Sequence, residues 1–165
     1  MYILLSDLPD EVRQLLARGT AIPAHPLVLD ANRQLDERRQ KAVTRYYMDA
    51  GAGGLAVGVH TTQYAIRDCG LYEPVLRLAS ETANEWTDRP KVLIAGVAGR
   101  LDQALGETAI AKRCGYHFAM VNVAAYQTEP ESEILEHCKR IAEVMPIIGF
   151  YLLPACGGRL LSADF

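Results

Sequence analysis

Residues 54–63 read Gly-Leu-Ala-Val-Gly-Val-His-Thr-Thr-Gln, and this stretch decides the fold. No charged side chain lies between Gly51 and His60, and polar and apolar residues do not alternate in this stretch. A strand of this kind is buried on both faces, which is typical of parallel sheets flanked by helices. Because ligands bind at the carboxyl ends of such strands, His60, Thr61 and Thr62 become candidate site residues.

The rest of the chain repeats this strand at intervals of about 27 to 37 residues, the length of a β-helix-β unit. Strands are predicted at 21–29, 54–59, 91–97, 118–123 and 146–154, and helices at 8–17, 36–50, 71–86, 101–114 and 131–144. Ser6 or Asp7 is the expected cap of the first helix, Asp36 caps the second, and Ser162 would begin a last one. The alternation predicts an α/β protein with a parallel sheet, either an open doubly wound sheet or part of a (β/α)8 barrel.

Composition narrows the classes of function. The 165 residues have the length of one domain, with 50% hydrophobic residues, 22% charged residues and a net charge of -3. This balance gives no reason to expect nucleic acid or an anionic membrane as a partner. No apolar run reaches the ~18–20 residues of a membrane span, and the N-terminus lacks the pattern of a signal peptide. We therefore predict a cytoplasmic location.

Metal and nucleotide sites have no signature in the sequence. The four cysteines form no Cys-x-x-Cys pair and have no histidine at a ligand spacing, which argues against zinc. Gly-x-Gly-x-x-Gly, a Walker loop and Gly-x-Ser-x-Gly do not occur. The sequence thus predicts no metal and no cofactor, and it favours a small molecule or a protein as the partner.

Four hydroxyl side chains fall at or near the carboxyl ends of predicted strands: Thr61, Thr62, Tyr126 and Tyr151. Hydroxyls gathered at one rim can relay protons and hold a carboxylate. A structural role is the open alternative for each, since two threonines after a strand often cap a turn. A tyrosine within an apolar strand is often a core residue whose hydroxyl has a partner.

The order of four segments resembles the dihydrodipicolinate synthase / N-acetylneuraminate lyase family. These segments are 25–27 (His-Pro-Leu), 54–62, 94–97 (Ile-Ala-Gly-Val) and 150–154 (Phe-Tyr-Leu-Leu-Pro). Members of that family are (β/α)8 TIM barrels that act as pyruvate-dependent class I aldolases. The resemblance runs from about residue 20 to 165. It implies that residues 1–165 are the N-terminal portion of a single barrel domain, about its first five β/α units, with an N-terminal helix in residues 1–19.

The resemblance also implies roles for the candidate residues. Thr61 matches the proton-relay threonine, and Thr62 matches the residue that holds the pyruvate carboxylate, with His60 beside it in the substrate site. Tyr151 matches the tyrosine that protonates and deprotonates the Schiff-base intermediate. Tyr126 matches the tyrosine that reaches into a neighbouring subunit's site. The implied partners are a 2-keto acid such as pyruvate and further copies of the chain, which form a tetramer in the family.

Two departures from the family pattern concern the substrate. Cys156 stands where the synthases have an arginine that reads a second carboxylate, and Arg159 could replace it only through a re-routed loop. His60, Gln63 and Tyr64 replace small or acidic residues of the family. The pocket is therefore expected to be bulkier and differently charged, and lysine biosynthesis is not favoured.

The third departure is the nucleophile, a lysine on the family's sixth strand. Lys41, Lys91, Lys112 and Lys139 are the lysines of this chain, and none is placed at the predicted rim. Hydroxyls cannot replace an amine in forming an imine. The leading hypothesis is a Schiff-base lyase whose lysine lies beyond this chain, so whether these 165 residues are an enzyme is open. The alternatives are a non-catalytic half-barrel acting through oligomerisation, and an open flavodoxin-like binding domain without its phosphate loop.

Overall fold

The computed structural model describes residues 1–150, 154 and 158–165. Within these residues, five α-helices and four strands alternate along the chain after the first helix. They are α1 (Asp10–Arg18), α2 (Glu37–Asp49), β1 (Gly54–Val57), α3 (Tyr72–Trp86), β2 (Val92–Val97), α4 (Leu101–Arg113), β3 (Phe118–Val121), α5 (Glu131–Ala142) and β4 (Ile147–Gly149). Short 3₁₀ turns lie at Leu5–Asp7, His60–Thr62 and Tyr64–Ile66. None of the described helices is long and apolar enough to cross a membrane.

The four strands form one parallel sheet in the order β1-β2-β3-β4. Gly54 pairs with Val92, Ile94 pairs with Phe118, and Ala119 pairs with Ile147. A doubly wound sheet reverses its strand order at a switch point. The order here never reverses, as in a barrel wound in one direction. The sheet therefore has the topology of an incomplete (β/α)8 barrel, and the doubly wound alternative is wrong.

The two faces of the sheet are covered differently. Helices α2 to α5 pack on one face, which forms the larger core, with fully buried members such as Met48, Leu55, Leu76, Leu93 and Ile141. On the opposite face a smaller cluster contains Ala56, Ile94 and Phe118 and meets Val12 of α1. In a closed barrel this second face is the interior. Helix α1 covers part of it.

The predicted first strand is wrong as a regular strand. Residues 21–29 run parallel beside β1, but they form a single isolated bridge with it, between Ala24 and Ala56, and Leu29 makes an antiparallel bridge with Leu35. The His25 N–H donates to the Ala56 carbonyl at 2.8 Å, and the Ala56 N–H donates to the Pro23 carbonyl at 3.0 Å. In a regular parallel ladder, alternate residues donate, so the N–H of residue 23 would be the donor next to that of His25. This residue is Pro23, which has no N–H.

Helix positions agree with the predictions to within two residues, but the cap predicted for the first helix is wrong. Asp36 caps α2 as predicted, since its Oδ1 accepts the Arg39 N–H at 2.9 Å. Helix α1 begins after Pro9 without a side-chain cap. Asp7 instead belongs to the preceding 3₁₀ turn, where its carboxylate accepts the Leu4 N–H.

The end of the chain also differs from the prediction. β4 occupies the first part of the predicted strand 146–154, of which residues 151–153 lie outside the described part. Ser162 begins no helix. Its N–H and hydroxyl both bind the Glu131 carboxylate at the start of α5, which ties the terminal segment to that helix.

Candidate functional site

A cavity of about 220 Å³ opens on the inner face of the sheet, at the carboxyl ends of the strands. Its base is apolar and includes Ala56, Val59 and Met120. Its polar side chains lie together and are here called the rim wall: His60, Thr61, Tyr64 and Asn122. The cavity thus combines an apolar base with a small group of convergent polar side chains, which is the usual composition of a small-molecule site.

The two adjacent threonines face opposite ways. Thr61 is exposed and lines the cavity, whereas Thr62 is fully buried. The Thr62 hydroxyl accepts the Gly58 N–H at 3.0 Å and donates to the His25 carbonyl at 2.6 Å. Gly58 has φ of 75°, so the chain bends sharply there before the turn that carries the rim wall. Thr62 therefore holds the turn together, and its predicted contact with a carboxylate stays a prediction.

A buried polar layer, made of His25, Gln40, Thr44 and Thr62, lies beneath that turn. His25 Nε2 lies 2.8 Å from the Thr44 hydroxyl, and the Gln40 amide lies 2.8 Å from His25 Nδ1. The Thr44 hydroxyl in turn donates to the Gln40 carbonyl, so a proton on Nε2 lets Nδ1 accept from the Gln40 amide. The Pro26 carbonyl, 3.1 Å from Nδ1, then accepts from the same amide, at 2.8 Å. Burial lowers the pKa of His25 to about 4. The imidazole is therefore neutral and structural, not a catalytic base.

A buried ion pair joins the carboxyl ends of β1 and β2. Arg67 Nε and Nη2 each lie 2.9 Å from an oxygen of Glu107 on α4. The same guanidinium donates to the carbonyls of Gly58 and Gly96, at 3.2 and 2.9 Å. The Ala98 N–H also donates to the Glu107 carboxylate, at 3.0 Å. The pair satisfies strand-end carbonyls that the sheet leaves unused, and sequence reasoning missed it because its members are 40 residues apart.

The Arg67 guanidinium supports Tyr64 of the rim wall. It lies 5.4 Å from the centre of the Tyr64 ring, and His60 meets that ring edge-on at 6.1 Å. Asn122, at the end of β3, lines the cavity together with Tyr64 and is 8% exposed. Burial raises the pKa of Tyr64, and the Asn122 side chain and the Arg67 charge partly oppose that rise. Asn122 was not among the predicted residues, although it is the polar residue that interrupts the apolar run 118–123.

Tyr126 lies away from the cavity. It is 3% exposed, and its hydroxyl lies 3.0 Å from His137 Nδ1 on α5. The Arg100 guanidinium covers its ring at 4.6 Å. Burial raises the pKa of Tyr126 and lowers that of His137. In this structure the hydroxyl is used inside the chain, so the role in a neighbouring subunit's site stays a prediction without support from its position.

Two predicted positions, Tyr151 and Cys156, lie outside the described residues. Phe150, directly before Tyr151, lines the cavity. Arg159 does not reach the cavity, because its Nη1 donates to the carbonyls of Tyr126 and Glu129 at 3.3 and 2.7 Å. Arg159 therefore anchors the terminal segment and does not replace the family's substrate-binding arginine.

No lysine lines the cavity over the described residues. Lys41, Lys112 and Lys139 lie on α2, α4 and α5, and Lys91 precedes β2 at the opposite end of the sheet. Burial lowers the pKa of Lys91, whose ammonium binds Asn84 and the Thr87 carbonyl. Within the described ranges no three His, Cys, Asp or Glu side chains are grouped as metal ligands.

The chain is similar in fold to solved structures of the dihydrodipicolinate synthase and N-acetylneuraminate lyase family. The chain superposes on N-acetylneuraminate lyase from Fusobacterium nucleatum with a TM-score of 0.75 and 20% identity, and on dihydrodipicolinate synthase from Aquifex aeolicus with 0.72 and 25%. It also matches YagE from E. coli K12, a prophage protein of the dihydrodipicolinic acid synthase family solved with pyruvate, with 0.73 and 20%. The chain has the fold of this family's barrel. The resemblance seen in the sequence is confirmed.

The matches cover 88%, 84% and 84% of this chain but only 50%, 46% and 46% of those proteins, respectively. The chain thus spans about half the length of the dihydrodipicolinate synthase and N-acetylneuraminate lyase structures, as a part of the barrel would. No family sequence model and no curated protein matches it.

Proposed function

We propose that this chain forms the ligand-binding half of a dihydrodipicolinate synthase-like carbon–carbon lyase, which acts on a pyruvate-type 2-keto acid through a lysine supplied beyond the chain. The observation that carries the proposal is the cavity at the carboxyl ends of the strands, with its four-residue rim wall. The family fold supports it, and one matched structure contains pyruvate.

The proposed reaction needs proton-transfer groups from this chain and a lysine amine from beyond it. A lysine amine attacks the keto carbon of the acid, water leaves, and the resulting imine accepts the electron pair of the carbon–carbon bond that breaks. The hydroxyls of this chain would move the protons. Thr61 is proposed for this task, since it is exposed and lines the cavity. Tyr151, which lies outside the described residues, is proposed as its partner because the resemblance to the family assigns it that role.

The remaining candidate residues contribute in different ways. His60 lines the cavity and would contact the substrate. Thr62 would act through the turn that presents Thr61, because its hydroxyl bonds to backbone groups on both sides. Cytoplasmic location and a tetramer are further family-based proposals.

A half-barrel that functions through association is the second candidate. Beside β4, the sheet edge is followed by a shallow apolar surface that includes Tyr2, Leu135, Cys138 and Ile147. Tyr2 and Leu135 are exposed large hydrophobic side chains. Among the described strands β4 pairs only with β3, and an open edge with apolar surface favours association with another chain or another half.

Mass spectrometry after treatment with pyruvate and borohydride tests both candidates. In the natural protein, if it is longer, we expect a reduced pyruvyl adduct on a lysine beyond Phe165, located by peptide mapping. The 165-residue chain is the matched control and should gain none, because its lysines lie outside the cavity. A longer natural protein without an adduct would contradict imine chemistry. Native mass spectra of the same samples test association, and a monomer would contradict the half-barrel candidate.

A further inference from the structure

The Thr62 hydroxyl is already bonded to the backbone on both sides. It donates its hydrogen to the His25 carbonyl at 2.6 Å and accepts the Gly58 N–H at 3.0 Å. A hydroxyl has one hydrogen to donate, so none is left for a substrate carboxylate. Thr62 is also fully buried, and it is not among the described residues that line the cavity. The carboxylate of a 2-keto acid bound in the cavity therefore needs another partner.

His60 is the residue of the rim wall that can carry a positive charge. The rest of the rim wall consists of Thr61, Tyr64 and Asn122, and the other described lining residues are apolar or glycine. Burial raises the pKa of Tyr64, so its phenol stays neutral at physiological pH. Histidine is the side chain whose charge ordinarily changes between about pH 5 and 8. Within the described lining, a positive charge for a carboxylate therefore comes from His60.

The His60 ring is free to bind a ligand. It is exposed beside the cavity, and none of the described residues forms a hydrogen bond or an ion pair with its nitrogens. Its ring contact is with Tyr64, at 6.1 Å between the two ring centres. In contrast, the rings of His25, His117 and His137 each have at least one hydrogen-bond partner within the chain. Of the four histidines, His60 is thus the one whose two nitrogens are both available.

The charged groups behind the rim wall form a pair of their own. The Arg67 guanidinium lies 5.4 Å from the centre of the Tyr64 ring, on which His60 also packs. Arg67 is neutralised by Glu107, both oxygens of which it contacts at 2.9 Å. Its other donors bind two strand-end carbonyls. This pair has no net charge to offer a ligand, and no described carboxylate is paired with His60.

We propose that His60 binds the carboxylate of the 2-keto acid through a charge-assisted hydrogen bond from its protonated ring. This inference rests on the proposed function, and it gives to His60 the role that the family resemblance gives to Thr62. Hydrogen bonds to ionised groups are roughly twice as strong as those between neutral groups. Binding of the anion should therefore favour the protonated imidazole, and affinity should fall as the pH rises and a free imidazole loses its proton.

Pyruvate and pyruvamide, its neutral amide of nearly the same shape, test this role in the full natural protein. Both carry the keto group that would react with the lysine amine, so the ratio of their dissociation constants isolates the contribution of the carboxylate. Isothermal titration calorimetry measures both constants. The natural protein should prefer pyruvate, and this preference should fall about tenfold as the pH rises from about 6 to about 8.

Three variants locate the effect. His60→Gln keeps a hydrogen-bond donor without the charge, so at the lower pH its preference for pyruvate should be about tenfold smaller than in the natural protein and should not change with pH. His60→Arg is positively charged throughout this range, so its preference should not fall. His117→Gln is the control, because His117 directly precedes β3 at the end of the sheet opposite the cavity. It should keep the preference and its pH dependence.

The outcomes separate the inference from the proposed function. A preference for pyruvate that does not change with pH in the natural protein, or that is the same in His60→Gln, would overturn the role of His60. The lyase proposal would then stand, since pyruvate would still bind and its borohydride adduct is measured independently. Binding of neither pyruvate nor pyruvamide would overturn both.

Discussion

The rim wall and the buried polar layer meet at the adjacent residues Thr61 and Thr62, yet they use their polar groups in opposite ways. In the layer, His25, Gln40, Thr44 and Thr62 hydrogen-bond to one another or to backbone groups. In the rim wall, His60 and Thr61 are exposed beside a cavity. Thr61 and Thr62 are neighbours, and one belongs to each group. Whether such a residue supports the turn or can contact a ligand depends on the side of the turn that it faces, and not on its residue type.

This contrast also ranks the losses of stability and of ligand binding that we expect from mutations. Groups beneath the rim are buried and paired, so removing one leaves its partner without a hydrogen bond or a counter-charge. His60 and Thr61 of the rim wall are exposed, so their removal should affect binding more than folding.

The largest loss of stability is expected for Glu107→Ala. It would leave Arg67 unpaired with 9% of its side chain exposed. Losing one member of a buried pair costs about 3–5 kcal/mol, and chemical denaturation should show a loss of this size. Glu133→Ala is the control, because Glu133 is half exposed and lies 3.9 Å from Arg100. Its loss should stay below about 1 kcal/mol. Equal losses in the two variants would show that Arg67–Glu107 is not a buried pair in solution.

The pH dependence of folding should reveal the neutral state of His25. The pKa of His25 is about 4 in the folded protein and about 6.5 when unfolded. Between these values the unfolded chain binds a proton that the folded chain does not. Stability from this residue is thus complete above pH 6.5, falls as the pH is lowered, and is lost by about pH 4. The total effect is about 3 kcal/mol.

The variant His25→Gln isolates this contribution, because burial also lowers the pKa of His117 and His137. The variant should be less stable at pH 7, and its stability should depend less on pH between 6.5 and 4 by about one proton. If denaturation curves of the two proteins had the same pH dependence, His25 would be protonated in the folded state or accessible to water.

The fold was more predictable than the site because different forces encode them. Doubly buried strands and amphipathic helices leave long patterns, so the helices and three of the strands lie close to their predicted positions. The prediction of a regular first strand was wrong because Pro23 removes one hydrogen-bond donor from the ladder. The hydrophobic pattern of residues 21–29 does not reveal this loss. The site depends on contacts between distant positions. The pair of Arg67 and Glu107, 40 residues apart, leaves no local pattern.

The smallest of these stability effects, and the most informative for the site, is the difference between Thr62→Val and Thr61→Val. Valine has nearly the shape of threonine but cannot bond to the Gly58 N–H or the His25 carbonyl. Thr62→Val should therefore cost about 1–3 kcal/mol, whereas Thr61→Val should change stability by no more than about 0.5 kcal/mol.

Denaturation of both variants and their affinity for pyruvate decide between two roles for Thr62. If it supports the turn, Thr62→Val should lose stability, and its binding should recover once the folded fraction is taken into account. Thr61→Val should fold normally and lose proton transfer. A Thr62→Val protein of unchanged stability that binds pyruvate weakly would contradict the support role, since its hydroxyl would then face the ligand. The family-based assignment of Thr62 to the carboxylate would be correct in that case.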